Sequence, residues 1–513
     1  MPRLPSGRPM NSGKMRAMLV HKSPILPAWL VPVLSPGALL IALAVANTPA
    51  HAAPWIAPGD SWLRADIQLL ADAGVIQRPV NTWPVSLPDI AQDIAGVDMP
   101  ATLDAAEQAA LVRLRRLLRA EMQVGERRYS ARLGLAASPE RIREFSDTPR
   151  GEIEAEVASE YTGERVAVRV QVQLVQRDRA DDRRLRPDGT AAGVVAGNWM
   201  ATAGWQARHW GPGWSGSLVL GGATRPIPGV AVQRLHSEPF ELPVLEWLGP
   251  WSLTAFAGRV EGFSLEDMAP DEAAADLRST RTNSTLLAVR AAARPLQSIE
   301  VGVSATRLAD DSGNRLAAID VRWQPRLPGF NFAAYGQVAR EQSAGDIPAG
   351  NTALVGVEHW GRSERLGGNW RAVVEHTDTA CNGLVGGSIT FGCAYAHDRY
   401  APGYRHRGRP IGHGADADAR LTTLAVQLRR DVGDDFQVRA RLGRLDRGDP
   451  AATGDGLNTV TDGRARFTDI EARVRRDAQV GTLELGAGYQ RLSMDDGQSR
   501  NDLRGFVGFT LQF

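Results

Sequence analysis

Two stretches of the chain carry the residue types from which chemistry could be built. The first runs from Trp199 to Trp251 and holds Trp199, Trp205, Trp210, Trp214, Trp247 and Trp251. Inside it lie the runs Trp210-Gly211-Pro212-Gly213-Trp214 and Ala223-Thr224-Arg225-Pro226-Ile227-Pro228-Gly229. An indole face stacks on the apolar side of a sugar ring, and arginine, aspartate and histidine hydrogen-bond its hydroxyls, so this composition points to saccharide binding. Tryptophan also girdles the rims of membrane barrels and fills irregular interiors, which is the competing structural explanation. The second stretch is Tyr404-Arg405-His406-Arg407-Gly408-Arg409-Pro410-Ile411-Gly412-His413, followed by Gly414-Ala415-Asp416-Ala417-Asp418-Ala419-Arg420. Together they supply Trp210, Trp214, Arg225, Arg409, His413 and Asp416 as candidate carbohydrate-binding residues.

Other chemistries are poorly supported. His413 and Asp416 would serve a hydrolase only beside a nucleophile, and no serine stands in a recognisable nucleophile context. Asp416 with Asp418 offers two carboxylates, too few for a calcium cage. No catalytic residue, metal or cofactor is therefore expected. On a strand, Asp416, Asp418 and Arg420 would share one lumen-facing row and pair with interior arginines. Cys381 and Cys393 are the only cysteines. Their spacing and isolation exclude a CxxC redox or zinc site, and in an exported chain they read as a disulfide pinning a glycine-rich loop.

The elements that must position these groups are mostly strands. From about Tyr129 onward apolar side chains recur with period two. Val166, Val168, Val170, Val172 and Leu174 alternate with Ala167, Arg169, Gln171 and Gln173, while Phe436, Val438, Ala440 and Leu442 alternate with Gln437, Arg439 and Arg441. Leu503, Gly505, Val507, Phe509, Leu511 and Phe513 form one face of a last strand that ends on an aromatic residue, as outer-membrane barrels characteristically do. The opposite faces are too polar for the core of a sandwich. Strands with one lipid-facing and one lumen-facing side indicate a transmembrane antiparallel β-barrel, whose closure leaves no unpaired edge in hydrocarbon. Dividing roughly 385 residues by about 20 to 22 per strand and its connections predicts some 16 to 18 strands.

Inner-wall positions mix Arg169, Arg439, Arg441, Arg473 and Arg475 with Glu300, Asp320, Glu471 and Glu484. Charges of both signs on a narrow wall favour a lumen partly filled by a polar network over a wide pore. Irregular segments at 178–197, 262–283, 341–352, 377–403 and 446–465 are the expected extracellular loops.

Upstream the pattern is different. Residues 1–52 carry Arg3, Arg8, Lys14, Arg16 and Lys22 without an acid, then an apolar run from Ala38 to Ala46 and an Ala50-His51-Ala52 cleavage signature. They read as a secretory signal peptide, with initiation at Met1 or at Met10, Met15 or Met18. Without them, 54 basic residues face 58 acidic ones, which does not favour nucleic acid. Residues 53–125 have helical periodicity and predict a small periplasmic α-helical bundle below a barrel of residues 126–513. One helix ends at Gly74, a second is capped by a Ser86–Asp89 box, and a third starts near Thr102 with Leu103, Leu111, Leu114, Leu117 and Leu118 on one stripe. Lying before the first strand, the bundle should sit at the periplasmic mouth, where it could cap the opening.

With these motifs in view, the chain resembles the Wzi-type capsule assembly family. The resemblance rests on Trp210-Gly211-Pro212-Gly213-Trp214, Ser217-Leu218, Arg225-Pro226-Ile227-Pro228-Gly229, Leu248-Gly249-Pro250-Trp251 and the run Tyr404 to His413, with Leu63 to Ile67 and Trp83-Pro84 at the helical start. It departs from the family pattern at Gly221 to Arg225, where an asparagine-containing run is expected. The resemblance implies a barrel of about eighteen strands and a lectin-like, non-catalytic role. In that role a monomer in outer-membrane lipid would hold exported capsular or surface polysaccharide, with the capsule export machinery as a further partner. The rival readings are a porin for small solutes or saccharides and an outer-membrane hydrolase.

Overall fold

A computed structural model describes residues 55–95, 97, 103–178, 183–262, 283–309, 315–342, 350–384, 392–396, 403–446, 460–461, 463–478 and 480–513. The expected signal peptide lies outside these residues, as do large parts of the expected loops at 262–283, 341–352, 377–403 and 446–465.

The period-two segments form a closed antiparallel barrel. Its strands are β1 (Arg127–Ala136), β2 (Ile153–Thr162), β3 (Val166–Gln176), β4 (Leu185–Arg186 and Ala191–Ala196), β5 (Trp199–Trp205) and β6 (Pro228–Arg234). There follow β7 (Trp251–Glu261), β8 (Asn283–Leu296), β9 (Ile299–Leu308), β10 (Arg315–Trp323), β11 (Phe332–Glu341) and β12 (Gly350–Ser363). The wall is completed by β13 (Gly368–Asp378), β14 (Ala419–Arg430), β15 (Asp434–Leu445), β16 (Ala465–Ala478), β17 (Gly481–Met494) and β18 (Ser499–Gln512). Both pieces of β4 pair with β3, so they count as one interrupted strand and the described wall has eighteen. β4 runs through the segment expected to be the loop at 178–197; its alanines and valines are too few to stand out as an alternating run.

β18 closes the cylinder on β1, with Phe506 opposite Ala136 and Gln512 opposite Ser130. Beyond the ladder, Tyr129 and Phe513 exchange backbone hydrogen bonds of 2.8 and 3.0 Å, and their rings stack with centroids 6.2 Å apart.

Burial along the wall is inverted relative to a water-soluble protein. Val157 and Ile319 are each 60% exposed, whereas Arg439 and Arg441, which point inward, are 1% and 0% exposed. Such a wall is at its lowest free energy with hydrocarbon outside and a hydrogen-bonded polar interior. Short connections such as 163–165, 297–298 and 431–433 lie at the end that holds both barrel termini, and the long ones, such as 206–227 and 379–418, lie at the other. In outer-membrane barrels the short turns are periplasmic.

Three helices, α1 (Ser61–Asp72), α2 (Leu87–Ala95) and α3 (Ala105–Glu121), belong to the same compact unit as the barrel. Asp60 caps α1 by accepting from the amides of Trp62 and Leu63, and Arg475 on the wall pairs with the same carboxylate at 2.9 Å. α1 is buried on nearly all sides, including its polar residues Arg64, Asp66, Gln68 and Asp72. That is unusual for a polar helix until its surroundings are seen: it stands within the mouth of the barrel, where Asp72 meets Arg322 at 2.6 Å and Asp66 meets Arg429 at 2.8 Å. The helical core is continuous with Ala333 and Trp360 of the wall.

Leu111, Leu114 and Leu118 of α3 are buried as their spacing predicts, and Gly74 follows α1 with φ +81°. The capping box, however, is not at Ser86 and Asp89. Ser86 lies in a two-residue strand against Trp55–Ile56 and donates to the Leu235 carbonyl, while Asp89 accepts from Ser237 and pairs with Arg78. The box that forms is Asp104 with Glu107, at the start of α3.

Candidate functional site

The two motif clusters converge inside the lumen. His209 and Trp210 pair in antiparallel register with Trp83 and Thr82 of the helical segment, and the Gly211 amide donates to the Asn81 carbonyl at 3.0 Å. The chain then doubles back, with the Trp210 amide donating to the Leu220 carbonyl at 2.9 Å. The connection between β5 and β6 therefore descends through the lumen until it meets the segment rising from the periplasmic side.

Each turn of this descent is held by a wall or plug residue. Arg64 of α1 donates to the carbonyls of Gly213 and Pro212, both at 2.8 Å, and its guanidinium lies between the rings of Phe145 and Trp214 at 4.5 and 4.4 Å. Burial pulls the Arg64 guanidinium down to about 10, so it stays a cation at neutral pH. The Glu375 carboxylate on β13 accepts from the amides of Trp214 and Ser215 and from the Tyr335 hydroxyl. Gln337 on β11 donates to the Trp210 carbonyl at 3.0 Å and accepts from the Leu218 amide at 2.8 Å.

The second cluster packs directly on the first. The Gly221 amide donates to the Ile411 carbonyl at 2.8 Å, the Tyr404 hydroxyl donates to the Val219 carbonyl and the Tyr395 hydroxyl to the Leu218 carbonyl. A methyl group at Gly216 would stand 2.3 Å from the His413 ring, so only glycine permits this approach. Cys381 and Cys393 are bonded to each other, with Cα atoms 6.4 Å apart, and pack against Gly350.

The individual candidates are placed as follows. Trp210 and His413 are fully buried, and Trp214 is half-buried under Arg64. Arg225 forms a two-pronged pair with Asp188 at 2.8 and 2.7 Å, and Arg409 reaches Asp178, which also meets Arg186. Asp416 is held by Arg405 at 3.0 and 2.7 Å. His413 has Thr377 as its side-chain neighbour at 3.3 Å rather than a carboxylate, and burial pushes its imidazole down to about 3. Among the described residues no carboxylate is hydrogen-bonded to this ring, so the orienting acid of a Ser-His-Asp arrangement is missing beside it.

One expectation needs correction. Asp416 and Asp418 do not share a strand row with Arg420, because both are in left-handed turn conformation, with φ of +64° and +52°, ahead of β14. Asp418 accepts from the Gly392 amide, and Arg420 faces Asp446 at 3.6 Å. The tryptophans also part company: Trp199 and Trp251 mark the short-turn rim, where Trp251 stacks on Phe240 at 4.3 Å and lies under Arg234.

Sequence reasoning missed the partners. Arg64, Asp188, Tyr335, Gln337 and Glu375 hold the plug, yet each reads only as an ordinary polar position. Glu140 and Glu144, on the connection between β1 and β2, reach the inner wall in the same way: Arg439 bonds both, and it also meets Asp469 at 3.1 Å. A cavity of about 480 Å³ remains between the plug and the wall, lined in part by Trp55, Glu156, Arg169, Gln171, Gln173 and Arg208. Among the described residues, no group of three or more acidic, histidine or cysteine side chains is arranged to hold a metal.

This architecture has known counterparts. The solved structure of Escherichia coli Wzi, described as a carbohydrate-binding outer-membrane β-barrel involved in group 1 capsule assembly, superposes with a TM-score of 0.75 at 23% identity, covering 90% of this chain and 100% of that one. An uncharacterised 55.8 kDa protein of the Klebsiella pneumoniae cps region is 26% identical over 357 residues. That alignment takes in 63% of this chain and 65% of the Klebsiella protein, so this chain spans about two thirds of that relative's length. The family model described as capsule assembly protein Wzi matches residues 138–310 and 307–503. The chain therefore belongs to the Wzi family of capsule assembly proteins, as a β-barrel of the outer membrane.

Proposed function

We propose that this protein is an outer-membrane lectin that binds exported capsular polysaccharide and holds it at the cell surface, without catalysing its conversion. The observation that carries this reading is that both motif clusters converge inside the lumen and are bonded there to wall and plug residues. A barrel filled by its own loops and helices is a platform and not a conduit, and in a capsule assembly family the ligand for such a platform is the polysaccharide itself. Trp210, Trp214, Arg225, Arg409, His413 and Asp416 then serve the site by fixing the loops whose outer surfaces meet the sugar. At the outer rim, Arg183, Arg259 and Arg407 gather around Glu261. Their guanidinium groups supply donors suited to carboxylate-bearing sugars.

The test compares cell-bound and released polysaccharide in a deletion strain, with and without the gene restored, alongside glycan binding by the purified protein. Release into the medium on deletion, reversed on restoration, supports the reading. A deletion strain that keeps all its polysaccharide in the same cell-bound layer overturns it. Steady ionic conductance of the purified barrel in planar bilayers would favour a porin instead.

A further inference from the structure

The outside of the barrel carries an arrangement that neither the plug nor sugar binding accounts for. Arg307 on β9 and Arg315 on β10 stand directly opposite each other in the ladder, and both are exposed on the lipid-facing side. Arg340 on β11 stands opposite Ala317, the next outward position along β10, so three cations share one patch. Like charges directly opposite on a sheet destabilise their pairing. Among the described residues, none of the three forms an ion pair. A second opposed pair, Arg444 and Arg466, differs in this respect, because Arg444 is bonded to Asp446.

The three arginines form the upper edge of a groove of about 650 Å³ in the outer wall. Its floor is made concave by Ala255, Ala257, Ala305 and Ala317, set between larger residues such as Val230 and Leu287. The arginines stand at the long-connection ends of their strands, so the groove faces the outer leaflet. Apolar fit alone selects nothing here, because lipid tails are as apolar as the wall. The charges select the headgroup: guanidinium groups bind phosphate through paired, charge-assisted hydrogen bonds.

We propose that this groove is a binding site for a phosphorylated, multiply acylated glycolipid of the outer leaflet, lipid A. Its phosphate bridges Arg307 and Arg315, with Arg340 alongside, and one acyl chain lies along the alanine floor. The phosphate supplies the counter-charge that the opposed pair lacks among the described residues.

Native mass spectrometry of the full-length protein in detergent tests the site, with bisphosphorylated lipid A, its dephosphorylated form and phosphatidylglycerol as probes. Three variants are compared: R307Q/R315Q, which removes the opposed pair; A305F, which fills the groove; and R444Q/R466Q, which removes the compensated pair. All the altered side chains face lipid, and the heat-induced mobility shift of the folded barrel on gels verifies folding. The expected result is one retained lipid A on the wild type, binding about tenfold weaker in R307Q/R315Q and in A305F, and wild-type binding in R444Q/R466Q. Equal retention of the dephosphorylated form or of phosphatidylglycerol overturns the proposal. So does wild-type retention by R307Q/R315Q, or an equal loss in R444Q/R466Q, which would mark a diffuse basic rim.

Discussion

Arg64 donates to the carbonyl of Gly213, a residue 149 positions further along the chain, at 2.8 Å. One end of this bond stands on a helix that enters the barrel from the short-turn side, the other on a connection that descends from the opposite side. The bond therefore joins the two halves of the plug, and the Phe145 and Trp214 rings flank the guanidinium that makes it.

Replacing Arg64 with alanine leaves the buried Pro212 carbonyl without its donor, at about 1–3 kcal/mol, leaves the Gly213 carbonyl only its 3.1 Å contact with His209 Nε2, and removes a cation from between two rings. The wall strands make none of these contacts, so the barrel should still form while its plug loosens. The R64A variant is expected to show intermittent openings in planar bilayers and faster proteolysis of segment 206–227. Conductance and protease resistance identical to wild type would mean that Glu375 and Gln337 hold the loop without it.

Arg439 is the hub of a second junction, where Glu140 and Glu144 of a loop meet Asp469 and Glu471 of the wall. Glu140 is held well below the usual carboxylate range: burial pushes it up, but the Arg439 and Arg441 cations outweigh that. Exchanging Arg439 for leucine strands buried carboxylates, at about 3–5 kcal/mol. The temperature at which the folded band converts to the unfolded one on gels should fall clearly. An unshifted transition would show that Arg441, Arg473 and Arg504 suffice.

His413 links plug stability to pH. Burial, assisted by the Arg441 cation, depresses its imidazole to about 3, whereas an unfolded histidine titrates near ~6.5. The unfolded state therefore takes up the proton first. Stability is intact above about 6.5 and declines as pH falls towards about 3. Between about pH 6.5 and 5, the stability of wild type relative to H413Q should drop by up to about 1.4 kcal/mol per pH unit. Parallel pH profiles for the two proteins would exclude His413 as the titrating group.

The wall was legible in the sequence because its rule is local. Whether Val438 faces out and Arg439 faces in depends only on alternation, and the membrane rewards that alternation wherever it occurs. Leu111, Leu114 and Leu118 declared their helix for the same reason. The Ser86 box failed because a competing partner, the Leu235 carbonyl, lies far away in sequence. Left-handed turns at Asp416 and Asp418 likewise escaped a reading that extended β14 backwards.

The sequence by itself determined the class of the protein, a membrane barrel with a helical start and two unusual motif clusters. Only the tertiary structure decided what those clusters do to the lumen. Arg322 finds Asp72 across 250 positions and Arg225 finds Asp188 across 37, and no periodicity records such a choice. Pairs of this kind form because a guanidinium or carboxylate enclosed by a barrel must meet an opposite charge or give up its own, and which one lies within reach is settled only when the cylinder closes.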